Sequence, residues 1–393
     1  MNFEESYEHA SLRKTVAQVC AGFGDDYLRR VIAEDGRTHE LWSALGEAGL
    51  LGVNLPEEYG GGGAGIAELA IVVEEAAASG NPLLLLLVSA AISGEVLKDV
   101  GTDEQKARWL PAMADGSDKM VFAITEPDAG SNSHQISTKA VRDGDDWVLS
   151  GTKYYISGVD EASNLLVVAR TGTSPSGRGE MTLFVVPTDD ERLHRALIPV
   201  EVRAPEKQYT LTFDGVRVGD DRRVGEVGRG MDVVFRGLNP ERITGAAIET
   251  GIARYALGKA AAYARERTVW GGTPIGAHQG VAHPLAAAAI DVELARLMTS
   301  RGRVAARQRP AGGGVVEHGE VRRGGRGPQG ARRRDPGPRR QRPRHGVRPR
   351  PPVGDGAPPQ GRPRQSRDGA ELRRDPHPRS APVLLTWASR PGR

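Results

Sequence analysis

The spacing of apolar residues changes twice along this 393-residue chain: a helical period holds to about Gly116, a period of two takes over from Lys119, and helical spacing returns at Met231. Periodicity decides which faces of a segment can be buried, so the order helices, strands, helices constrains the fold more than any single residue does. In the first stretch "LWSALGEAGLLG" and "ELAIVVEEAAA" place apolar residues three and four apart, with breaks at Gly60 to Gly63 and at Gly80-Asn81-Pro82. An N-terminal all-α domain is expected over residues 1–118. The second stretch holds "DWVLSGTKYYISG", "LLVVART", "MTLFVVP" and "YTLTFDGVRV", separated by Gly, Asp and Ser-Pro turns. Strands without intervening helices fit a barrel or sandwich better than a parallel sheet, and a middle β-barrel domain is expected over 119–230. The third stretch, 231–301, reads as the start of a C-terminal α-helical bundle, with Asn239 as N-cap and Pro240 in the first turn of its first helix. The class is α+β, multidomain.

Beyond Ser300 the material changes. Residues 1–300 hold 29 of the 53 Lys+Arg and 43 of the 50 Asp+Glu, a net charge of −14; the remainder carries 24 arginines against 7 acids, or +17. Fifteen of the 26 prolines lie there too. "GPRRQRPRHGVRP" (Gly337 to Pro349) typifies a segment with too little apolar surface to build a core, so the tail, 302–393, is expected to be disordered. Its charge would bind phosphate nonspecifically, but it has one aromatic residue, Trp387, no repeat and no lysine, which argues against a nucleic-acid partner.

The single cysteine, Cys20, excludes an internal disulfide framework, fits a reducing compartment and reads as a small buried hydrophobe. The N-terminus is acidic and shows no secretory h-region, and the longest apolar run, Leu83 to Ile92, is about half a membrane span. A cytoplasmic protein with no membrane span and no metal site is expected. Gly60 to Gly63 follow "LPEEY" rather than a strand and precede no Lys-Ser/Thr pair, so a turn is read rather than a phosphate loop.

Two segments carry chemistry. "FAITEPDAGSN" (Phe122 to Asn132) reads by itself as a strand ending in a Pro-Asp-Ala-Gly turn, and "GTKYYISG" (Gly151 to Gly158) follows about 25 residues on. With "EEYGG", "EQKARWLPAMADG" and "ARERTVWGGTPIGAHQ" they resemble the acyl-CoA dehydrogenase family over residues from about 30 to 300. The resemblance implies FAD between the barrel and the helical bundle. Phe122, Ile124 and Thr125 would border the flavin ring, with Thr125 hydrogen-bonding its polar edge; Tyr155, Ile156 and Ser157 would cover the ring's other side. Ser131 would serve both the FAD pyrophosphate and the CoA thioester region of the substrate. Tyr155 stands where tryptophan is usual, Ser157 where threonine is usual, and Asn132 where the family has an aspartate. Arg267 and Trp270 match positions that reach the FAD of a neighbouring subunit, which implies a homo-oligomer, a homotetramer in the family. On residue type alone they would be a surface arginine and a core tryptophan. No G-x-G-x-x-G follows a strand, so a Rossmann mode of FAD binding is not expected.

Oxidising an acyl-CoA between Cα and Cβ needs a base for the α-proton, and a carboxylate in an apolar pocket suits that task. The family draws this glutamate either from a Y-E-G-T segment near the C-terminus or from an E-R pair opening the first bundle helix. "LNPERI" offers Glu241 in the second arrangement, with Arg242 at a position that contacts the CoA moiety. On position alone a first-turn glutamate is as well explained by the helix dipole. Electrons would pass to an electron-transfer flavoprotein.

Back-translation gives the tail a second reading. Advancing the frame by one nucleotide lets Val316 to Arg323 read "SNMAKYA", Pro338 to Pro349 "HGGNGLATEYG", Gln365 to Arg373 "SREMVLNF", and Arg379 to Thr386 "RSY" followed by a stop. Such strings resemble the family's last helices in order, including an H-G-G-N-G that helps hold FAD, so a frameshift between about Met298 and Val315 is expected. Other readings stay open: a flavin oxidase or monooxygenase of the same fold, a non-catalytic subunit inactivated by the frameshift, or an Arg-rich RNA binder.

Overall fold

The computed structural model describes residues 5–202 and 204–307. The tail expectations lie outside these residues from 308 on. The helices α1 (Tyr7–Cys20), α2 (Asp25–Ala33), α3 (His39–Glu47), α4 (Ile66–Ala78), α5 (Glu95–Val100) and α6 (Asp103–Asp115) form the N-terminal part, with a π-helix, Leu86–Gly94, leading into α5. Gly60 to Gly63 form a turn, folded back so tightly that a Cβ on Gly61 would lie 2.2 Å from the Leu55 carbonyl oxygen. Thr102 and Gln105 cap the start of α6 reciprocally, each side chain bonding the other's backbone N–H. The π-helix is apolar on nearly every side, as a segment buried all round must be. Two of its polar groups are met from outside: Asn54 donates to the Ala90 carbonyl at 3.2 Å, and Ser89 Oγ accepts the Met120 N–H at 3.1 Å.

Eight strands follow: β1 (Met120–Ala123), β2 (Lys139–Asp143), β3 (Asp146–Ser157), β4 (Asn164–Thr173), β5 (Gly179–Pro187), β6 (Leu193–Leu197), β7 (Gln208–Gly219) and β8 (Arg223–Val224). They pair in the order β6-β7-β3-β2-β4-β5-β8, with β1 parallel to β4 off this path. The expected barrel is therefore an open sheet among the described residues: β6 and β8 end the path unpaired to each other, and two-residue β8 is too short to ladder with both neighbours. Along β4, Leu165, Val167 and Ala169 join one core cluster with the N-terminal helices, while Leu166 and Val168 join a second with α6 and the start of the next helix. Alternation with both phases buried is what a strand covered on both faces requires.

The chain then forms α7 (Gly230–Glu266), a short hairpin β9 (Thr268–Val269) and β10 (Thr273–Pro274), and α8 (Gln279–Arg307). Two expectations are corrected. Helix α7 starts at Gly230, not after Asn239, so Pro240 lies inside it, and Asn239 accepts a bond from Arg242 at 2.7 Å instead of capping. A proline removes one backbone N–H, and the burial of α7 between Gly230 and Gly251, against α4 and the π-helix, outweighs that loss. Helix α8 runs past the expected limit of 301 to Arg307. Among the described residues no helix is long and apolar enough to cross a membrane.

Candidate active site

A β-bulge brings the two motif segments together. Between Lys153 and Ile156 strand β3 advances three residues while β7 advances two, from Leu211 to Tyr209. The extra residue reverses the in–out phase: Lys153 points inward, Tyr155 outward and Ile156 inward again. It also takes the Tyr154 N–H out of the ladder and lets it donate to the Thr125 carbonyl at 2.9 Å. Tyr155 sits at φ +56°, a left-handed conformation that costs a bulky residue about 1–3 kcal/mol and holds only where surrounding structure imposes it. Its ring is 54% exposed and packs edge-on to Tyr154.

Beneath this junction lies a pair that sequence reasoning quoted but gave no role. Lys153, 0% exposed, donates to the Ile124 carbonyl and to Glu126 Oε1, both at 2.9 Å. Glu126 also accepts the Ser137 N–H and hydroxyl at 2.7 Å and the Thr138 N–H at 3.0 Å. Burial opposes ionisation of Glu126, but the Lys153 charge and these bonds outweigh it and hold its carboxyl down at about 2. Burial likewise pulls the Lys153 ammonium down, to about 8, and the Glu126 charge keeps it protonated at neutral pH. The signal was present in the period of two, which puts Lys153 on the inward face with Trp147 and Leu149.

Of the other expected flavin residues, Phe122 and Ile156 have side chains in the core, while Ile124, Thr125 and Ser157 are partly open and Ser131 is exposed. Ser157 Oγ donates to Gln208 Oε1 at 3.0 Å. The Thr125 hydroxyl makes no hydrogen bond among the described residues, so this edge offers a donor to meet a planar polar group.

Glu241 lies on the inward stripe of α7. Gly237, Glu241, Thr244, Ile248 and Gly251 recur at helical spacing on one face. A Cβ on Gly237 would lie 2.8 Å from Ile92 Cγ2 in the π-helix, and one on Gly251 would lie 2.3 Å from the Glu74 carbonyl oxygen in α4. Glu241 is thus held between two close helix contacts. Burial pushes its carboxyl above the usual range, with Arg242 opposing. It stands eleven residues from the start of α7, about three turns, where the helix dipole has faded, so the dipole account of this glutamate lapses. Arg242 is exposed beside it.

Arg267 and Trp270 are not brought to this place. They follow the C-terminus of α7, about 37 Å along the helix from Glu241. Trp270 is 87% exposed at the tip of the β9–β10 hairpin, edge-on to His278, and not a core residue.

Residues 6–117, 121–216 and 228–315 match, in turn, the N-terminal, middle and C-terminal domains of acyl-CoA dehydrogenase. The chain is 52% identical over 300 residues to acyl-CoA dehydrogenase FadE12 of Mycobacterium tuberculosis, covering 76% of this chain and 77% of that protein. It belongs to the acyl-CoA dehydrogenase family. Solved structures of acyl-CoA dehydrogenases share its fold. A glutaryl-coenzyme A dehydrogenase in complex with glutaryl-CoA superposes with a TM-score of 0.74 at 30% identity, covering 78% of each chain. A glutaryl-CoA dehydrogenase of Mycobacterium smegmatis in complex with FADH2 gives 0.70 at 26% identity, covering 76% of each. In this acyl-CoA dehydrogenase the matched segments include both motif segments and Glu241.

Proposed function

We propose that this chain is built to oxidise an acyl-CoA thioester to its trans-2-enoyl-CoA, using FAD and passing electrons to an electron-transfer flavoprotein. The observation that carries the reading is the Tyr154 N–H bond to the Thr125 carbonyl, which sets the two motif segments side by side. Thr125 and the loop backbone would hold the flavin's polar edge, Ile124 and Tyr155 its faces, and Ser131 the pyrophosphate. When bound, FAD accepts the hydride that leaves Cβ. Glu241, its carboxyl raised by burial, takes the proton from Cα, so the electron pair left there closes the double bond. Arg242, exposed at the same turn, meets the phosphates of CoA. Arg267 and Trp270, too far along α7 to serve the flavin beside Glu241, reach the FAD of a second copy of the chain.

The test is anaerobic mixing of the FAD-loaded protein with straight-chain and branched acyl-CoAs. Loss of the flavin's visible absorption, followed by slow reoxidation in O₂ and fast reoxidation by an electron-transfer flavoprotein, is the expected result. Fast reoxidation by O₂ alone would instead identify an oxidase of the same fold.

A further inference from the structure

Thr125 lies between two residues gripped by one ammonium group. Lys153 Nζ bonds the carbonyl of Ile124 on one side and the carboxylate of Glu126 on the other. We propose that Lys153 and Glu126 are positioning residues that set the height of Thr125 above strand β3, and through it the seat of the flavin. The inference rests on the flavin reading of the two motif segments.

Stability alone does not explain a charged pair at this place. Two ions taken out of water recover about what their desolvation costs, and well-packed apolar side chains of the same volume do as well or better. What the pair supplies is direction. The Glu126 carboxylate joins three segments: its own loop, residues 137–138 at the entry to β2 through three bonds, and β3 through Lys153. The ammonium adds a second prong to the Ile124 carbonyl, so loop 124–126 can neither lift from β3 nor slide along it. The bulge begins one residue after Lys153 and contains Tyr155. Thr125 and Tyr155, two of the open groups proposed to meet the flavin, are therefore fixed against each other by side chains other than their own. Groups that must hold a ligand to a fraction of an ångström need such support from behind.

The full chain, with its C-terminal frame restored, is titrated with FAD, reading the dissociation constant and the shape of the bound flavin's absorption band, beside melting temperatures of the same samples. Lys153→Met leaves a buried carboxylate unpaired and is expected to lower both stability and FAD affinity. Combined with Glu126→Gln, which keeps one acceptor oxygen for Ser137 while its amide nitrogen faces the Thr138 N–H, it removes both charges, so the melting temperature should recover in large part. FAD should still bind about tenfold more weakly, with an altered absorption band, because the grip on Ile124 is gone. Affinity that recovers together with stability overturns the proposal. Should the double variant not fold, Glu126→Asp decides: it keeps the charges paired but draws the loop in by one methylene, and an unchanged dissociation constant overturns the proposal equally. A frame-restored parent without saturable FAD binding sinks the flavin reading itself, and this inference with it.

Discussion

Burial disfavours the charged form of Glu241 and Arg242 favours it, so its carboxyl binds a proton more readily than a free one. Glu241→Gln preserves shape and removes the basic oxygen. With the C-terminal frame restored, flavin reduction by acyl-CoA should slow by about 10² to 10⁴, while FAD content and ligand binding persist. Stopped-flow bleaching at the parent rate would remove Glu241 from the mechanism. Glu206 is a second buried carboxyl, 6% exposed, accepting the Leu84 N–H at 2.9 Å where the chain enters the π-helix. Burial pushes its carboxyl up to about 7, with Glu161 adding to the rise. A carboxyl whose folded value is raised favours the folded state while protonated, so its contribution is full below the ordinary carboxylate range and is lost as pH climbs through about 7. Glu206→Gln keeps the acceptor for Leu84 and removes the titration. It should raise stability at about pH 8.5 by roughly 2–3 kcal/mol and change little at about pH 4. Parallel unfolding curves for parent and variant across that range would show that Glu206 is not the titrating group.

At the scale of elements, α7 shows what the sequence disclosed and what it withheld. Its helical period was legible, as were the strand segments and both motif segments, because each repeats a local pattern. Its start was not: Asn239-Pro240 carries a strong local start signal, and burial between Gly230 and Gly251 overrode it. The bulge in β3 was equally hidden, since nothing in "KYYIS" marks where the partner strand loses step. Closure of the sheet depends on long-range pairing that period alone does not encode. The small residues of α7 make these contacts testable. Gly237→Val must push α7 from the π-helix, because its Cβ would lie 2.9 Å from the Ile92 carbonyl oxygen. A loss of about 1–3 kcal/mol is expected, with slower flavin reduction as Glu241 shifts. Gly258 faces open space on the same helix, and Gly258→Ala should instead add up to about 1 kcal/mol and leave reduction unchanged. Equal effects at both positions in a melting series would refute the close packing at Gly237.

In the whole molecule, charge ties the N-terminal helices to the C-terminal ones. Arg13 of α1, Arg254 of α7 and Arg296 of α8 converge on Glu74 and Glu75 of α4, with Glu74 1% exposed. Through Arg296 that network ties one side of α8 to α4. The other side carries Ile290, Leu294, Leu297 and Met298, spaced as one helical face and 48 to 65% exposed. An apolar stripe of this kind needs further helices, and the tail as printed is arginine, proline and glycine, whereas its shifted frame supplies helix-like strings. The match to the family's C-terminal domain extends to residue 315, the far end of the window that holds the proposed slip. The chain as printed should therefore bind FAD weakly and fail to form a tetramer. A one-nucleotide correction between codons 298 and 315 should cover the α8 stripe and yield a yellow tetramer, read by the flavin absorbance that co-elutes with protein in size-exclusion chromatography. A yellow tetramer purified from the printed sequence would show that the tail, and not a shifted frame, completes the molecule.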